Sequence, residues 1–153
     1  LDHRTDHEAE LAMIIGKTAR HVSEADALSY VAGYTVANDV SDRDLQKKDG
    51  QFIRAKGFDT YCPVGPWVET DIDISNLPVR SRVNGATRQD QTTASMLWNP
   101  AFLISYVSGV MTLKPGDLIL TGTPEGVGPL KPGDTVEAEV TGIGVLSNPV
   151  EAA

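Results

Sequence analysis

Two carboxylates two residues apart, Glu8 and Glu10 in Asp6-His7-Glu8-Ala9-Glu10-Leu11, and a third, Asp39 in Ala37-Asn38-Asp39-Val40-Ser41, are the side chains whose types and spacing point most directly to chemistry. The apolar run Leu11 to Ile15 stops at Gly16-Lys17, which predicts a strand beginning near Glu8. Side chains two apart on a strand share a face, so Glu8 and Glu10 repel unless something positive sits between them. A hard divalent cation is the simplest partner; three carboxylates with water suit magnesium or manganese, whereas zinc usually draws on His or Cys. On its own, Glu-x-Glu on a strand more often marks the solvent face of a half-buried sheet. Asp39 favours the metal because it stands just past a second strand, ahead of a polar segment with Arg43, Gln46 and Lys56.

The elements that must position these groups follow from local pattern. Ser23, with Glu24 and Asp26 behind it, reads as the cap of a helix continuing to about Gly33, and Tyr34 to Ala37 as the strand delivering Asp39. Ser41 to Gly57 opens with a helical turn over Asp42 to Gln46 and becomes a charged loop. Strands are expected at Val64 to Glu69, Val79 to Val83 and Thr87 to Gln89, the last two joined by the hairpin signal Asn84-Gly85. Asn99-Pro100 should cap the longest helix, with an apolar stripe of Phe102, Leu103, Tyr106, Val107 and Val110. Leu113 to Asp117 and Leu130 to Asp134 repeat one turn, Leu-Lys-Pro-Gly-Asp, each opening a strand (Leu118 to Thr121, Val136 to Val140), and Gly144 to Val150 forms the last. Strands that do not alternate with helices exclude a doubly wound sheet and predict an α+β domain with a mixed or antiparallel sheet.

With 153 residues the chain has single-domain length, and its net charge of −8 with no basic cluster argues against nucleic acid. A single cysteine, Cys62, precludes an internal disulfide and fits a cytoplasmic, reducing setting. Cys62 stands before Pro63 without a paired His and reads as structural; no apolar run is long enough for a membrane span. Gly16-Lys17-Thr18 fails as a phosphate loop because Leu11 stands where glycine is required. His7 and His21, each three residues before a Glu, read as surface or strand-edge residues.

Four ordered stretches, Asp6 to Lys17, Tyr30 to Gln46, Arg54 to Pro63 and Leu120 to Gly128, resemble the fumarylacetoacetate hydrolase family. The resemblance implies an α+β fold, a mixed β-sheet roll with flanking helices, a homodimer and a Mg²⁺ or Mn²⁺ site. It places Glu8, Glu10 and Asp39 as metal ligands, Arg43, Gln46 and Lys56 around the substrate with catalytic roles, and Thr123 on the substrate carboxylate. The whole chain, 1–153, is then one catalytic domain that starts without the lid segment, carrying a His/Glu pair, of other members. The implied enzyme cleaves or decarboxylates a C–C bond of a small anionic 2-oxo (di)carboxylic acid through a metal-stabilised enolate, or isomerises its enol and keto forms. An acylpyruvate-type hydrolase using an upstream His/Glu pair is the alternative, and a catalytically silent metal-binding domain a third reading.

Overall fold

The computed structural model describes residues 3–152. Its strands and helices run β1 (Thr5–His7), β2 (Ala9–Ile15), β3 (Val31–Asn38), β4 (Ser41–Asp42), α1 (Arg43–Asp49), α2 (Ile53–Lys56), β5 (Val64–Glu69), β6 (Pro78–Val83), β7 (Ala86–Thr92), α3 (Pro100–Val110), β8 (Leu118–Leu120), β9 (Gly128–Pro129), β10 (Thr135–Val140) and β11 (Gly144–Pro149). They form two four-stranded sheets, ordered β5-β3-β2-β8 and β11-β10-β6-β7, and a small sheet β4-β1-β9. The α+β class holds, and the mixed sheet implied by resemblance resolves into ladders that are all antiparallel among the described residues.

Period-two patterning fixes which face of β2 carries the chemistry. Ala9, Leu11, Met13 and Ile15 enter the core shared with Val79, Ala138 and Val140 of the second large sheet and with Ile104 of α3. Leu11, Met13 and Ile15 each contribute roughly 1.5–3 kcal/mol of burial, enough to lock the register, because a one-residue slip would exchange this set with Glu10 and Ala12 on the other face. Glu8 and Glu10 must therefore lie on the opposite face. Turn chemistry is equally decisive: Asn84 (φ 52°) and Gly85 (φ 78°) make the two-residue hairpin, and in both Leu-Lys-Pro-Gly-Asp copies the Asp carboxylate accepts the Lys amide, at 2.7 and 2.8 Å.

Three expectations give way to tertiary structure. The helix expected from Ser23 to Gly33 is only a 3-10 turn at Ala27–Tyr30, because β3 starts at Val31 and pairs along β2. The charged loop after α1 contains the short helix α2, which delivers Lys56. On α3 the side facing the core is Ile104 and Ser108, flanked by Leu103 and Val107, while Tyr106 and Val110 are 63% and 64% exposed. Serine can face inward there because Ser105 donates to the Val22 carbonyl and Ser108 accepts the Val22 amide.

Candidate metal centre

Register brings the three carboxylates together. Ala9 pairs with Asn38 and Glu10 with Ala37, so Glu8 falls opposite Asp39, and the Asp39 amide donates to the Glu8 carbonyl at 2.8 Å. Asn38 Oδ1 accepts the Glu8 amide at 2.9 Å and holds the strand end square. One oxygen from each of Glu8, Glu10 and Asp39 lies within 4.8 Å of the other two. Oxygens around an octahedral ion with bonds of about 2.1 Å lie roughly 3–4 Å apart, so the spacing of the three carboxylates is of the order a shared divalent ion would require.

The cations come from α1 and α2. Asp42 caps α1 by accepting the Asp44 and Leu45 amides, which aims Arg43 back across the sheet. Its guanidinium donates to Asp6 at 3.0 Å, Gln46 at 3.0 Å and Glu8 at 2.5 Å, leaving one N–H on each terminal nitrogen. Lys56 Nζ donates to Glu8 at 2.9 Å and to Asp39. Burial alone would lower the Lys56 pKa, but its bonds to Asp39 and Glu8 outweigh that and raise it, so it stays an ammonium. Asp6 is pushed up by burial and pulled further down by Arg4 and Arg43, a net depression.

Glu10 is different. It is 3% exposed, takes one backbone bond from Gly122 at 2.6 Å and contacts none of these cations. Burial, reinforced by Asp39 and Glu8, lifts its pKa to about 8; burial likewise raises that of Asp39. With Glu10 ionised, Asp6, Glu8, Glu10 and Asp39 outnumber Arg4, Arg43 and Lys56 by one; with Glu10 holding its proton the two sets balance. A divalent ion therefore fits this donor set: it supplies the partner Glu10 lacks and turns the cluster net positive.

All three expected ligands, with Arg43, Gln46 and Lys56, thus meet at one place. Thr123 stands beside it. Its hydroxyl donates to the Ala9 carbonyl at 2.9 Å and accepts from Gln89 at 2.7 Å, so its proton is committed within the protein. Cys62 has its thiol pKa pushed up by burial, as suits a structural residue. His21 is exposed as expected. His7 is not a surface residue: it is 1% exposed, with Nδ1 on Gln89 at 3.3 Å and Nε2 buried without a partner, because β1 lies between β4 and β9. Asp6, His7 and Gln89 were not anticipated as parts of the site. Only Asp6 had a local signal, since it shares the alternation that places Glu8 and Glu10.

Fold and centre together define a buried cluster of three carboxylates, able to hold a metal ion, on an antiparallel α+β roll. Residues 2–151 match the family described as fumarylacetoacetate (FAA) hydrolase C-terminal, and the chain belongs to the fumarylacetoacetate hydrolase family. It is 50% identical over 148 residues to the 4-hydroxyphenylacetate degradation bifunctional isomerase/decarboxylase of Salmonella dublin, covering 94% of this chain and 34% of that protein. It superposes with a TM-score of 0.96 and 53% identity on a 5-carboxymethyl-2-hydroxymuconate delta-isomerase of Mycobacterium smegmatis, covering 97% of this chain and 59% of that one. For the 2-hydroxyhepta-2,4-diene-1,7-dioate isomerase of Mycobacterium marinum the TM-score is 0.95 at 53% identity, with 96% and 58% covered. The chain thus spans about a third of the Salmonella protein and under three fifths of each solved chain. No helix among the described residues is long and apolar enough to cross a membrane.

Proposed function

We propose that the chain is the catalytic part of a Mg²⁺- or Mn²⁺-dependent enzyme that isomerises or decarboxylates small 2-oxo (di)carboxylic acids. The observation that carries this is Glu10, a buried carboxylate without a cation inside a cluster of three. Glu8, Glu10 and Asp39 would hold the divalent ion, which would supply Lewis acidity to the oxygens of a 2-oxo acid. Lys56, fixed by Glu8 and Asp39, adds a compact positive charge where the 2-oxo oxygen gains negative charge. Arg43 orients Glu8 and Gln46 and turns its two remaining N–H groups to a substrate carboxylate. Enol–keto exchange then moves one proton between the enol oxygen and the adjacent carbon, and in decarboxylation the electron pair of the broken C–C bond stays behind as the enolate beside that charge and takes a proton from water.

The names of the similar proteins include isomerases, an isomerase/decarboxylase and a tautomerase beside hydrolases; isomerisation and decarboxylation are placed first because they ask for no water-activating base. A homodimer in the cytoplasm belongs to the same proposal. The test is oxaloacetate turnover with and without Mg²⁺ or Mn²⁺, following both CO₂ release and the enol absorbance. Metal-dependent change in either signal supports the reading; metal binding without turnover of any 2-oxo acid sinks it.

A further inference from the structure

We infer that Gln89, on the sheet opposite the metal centre, is the positioning residue that sets the spacing of the ligands and of the Gly122-Thr123 loop; this rests on the metal reading above. Gln89 is 1% exposed, and both ends of its carboxamide are used. Oε1 accepts the Ala9 amide at 3.1 Å and faces His7 Nδ1 at 3.3 Å, while Nε2 donates to Thr123 Oγ1 and to the Pro124 carbonyl, each at 2.7 Å. Two backbone groups fix that orientation, because Ala9 N–H can only donate and the Pro124 carbonyl can only accept. His7 Nδ1 must therefore carry the proton.

Ala9 is the residue between Glu8 and Glu10, and its carbonyl takes the Thr123 hydroxyl. Gln89 thus grips the backbone between two ligands and, through Thr123 and Pro124, the loop whose Gly122 amide is bonded to Glu10. A one-residue bulge makes the reach possible: Ser81 pairs with Gln89 but Arg82 with Thr87, so Arg88 is extra. The loop closes on that bulge at Gly126 (φ +100°), where a Cβ would lie 2.1 Å from the Arg88 carbonyl. Only glycine fits there.

Glutamine is required by polarity as well as by shape. In Gln89→Glu a second acceptor would face the Pro124 carbonyl, and in Gln89→Met all four contacts would be lost at similar volume. Losing such outer support typically costs tenfold to a hundredfold in metal affinity or activity. We expect both variants, checked as folded by circular dichroism, to bind Mn²⁺ at least about tenfold more weakly and to lose kcat while KM changes less than about threefold. Folded variants with Mn²⁺ affinity and kcat within twofold of wild type, and only a lowered Tm, would overturn the inference.

If neither variant folds, the wild-type chain decides it by NMR. Addition of Mg²⁺ should shift the Gln89 side-chain amide together with the Gly122 amide, and a shift at Gly122 with Gln89 unmoved overturns the inference. Wild type that binds Mn²⁺ without turning over a 2-oxo acid sinks the proposed activity and leaves the affinity comparison standing. Wild type that binds no Mn²⁺ overturns both.

Discussion

The chain carries Glu-x-Glu on a strand twice, at Glu8/Glu10 and at Glu137/Glu139 of β10, and the two pairs have opposite fates. Each member of the second pair has an arginine from the neighbouring strand: Arg82 donates to Glu137 at 2.8 Å and to Glu139 at 2.6 Å, and Arg80 joins Glu139 and Asp90. The pair is partly exposed and its charges are satisfied across the ladder. At the first pair Glu8 is shared by Arg43 and Lys56, but Glu10 is buried with no cation in contact among the described residues. The same spacing is therefore a partly exposed, fully paired sheet face in one place and a buried, cation-poor cluster in the other. Burial and the supply of partners, not the motif, make the difference.

The largest effect that could break this contrast is on turnover. Glu10→Gln should abolish metal-dependent conversion of a 2-oxo acid, a loss of about a thousandfold, while Glu139→Gln should leave it unchanged. Without metal the sign reverses: Glu10→Gln removes a buried group that must take up a proton to fold at pH 8 and should stabilise the chain there by about 1–3 kcal/mol, read as a raised Tm. Next, Lys56→Met should cost about a hundredfold in kcat, whereas Arg82→Met, an equal loss of charge at the other pair, should not alter it.

Stability against pH sharpens the comparison further. Folded Glu10 holds its proton up to about pH 8 against an ordinary value of 4.5. Its contribution is thus intact below about pH 4.5 and is lost as pH rises to 8, by up to about 1.4 kcal/mol per unit. Denaturant titrations of the metal-free chain should show this fall, and saturating Mg²⁺ should flatten it, because the ion replaces the proton. The smallest effect is on the satisfied pair, where Glu137→Gln or Glu139→Gln should cost less than about 1 kcal/mol by thermal unfolding.

What the sequence discloses follows from how local each signal is. The Glu8/Glu10 strand was legible because a continuous apolar run and a glycine stop lie within ten residues, and Asp39 because a β-rich segment leads straight into it. The hairpin at Asn84-Gly85 and the two Leu-Lys-Pro-Gly-Asp turns were legible for the same reason. Ser23 misled because its local capping pattern competes with a strand pairing decided some fifteen residues away, along β2. The inward face of α3 was hidden because its buried Ser108 is satisfied by Val22, far off in sequence. Gln89 was hidden most completely. In the polar strand Ala86–Thr92 nothing local separates it from Gln91, and its importance lies wholly in Ala9, Thr123 and Pro124.

The most direct measurement is a calorimetric titration of Mg²⁺ and Mn²⁺ at pH 7 into the wild-type chain, Glu8→Gln/Glu10→Gln and Glu137→Gln/Glu139→Gln. We expect one ion per chain for wild type and for the Glu137/Glu139 variant, with protons released on binding, and no ion for the Glu8/Glu10 variant. Binding that survives in Glu8→Gln/Glu10→Gln, or that disappears in Glu137→Gln/Glu139→Gln, would contradict a metal centre at the buried pair.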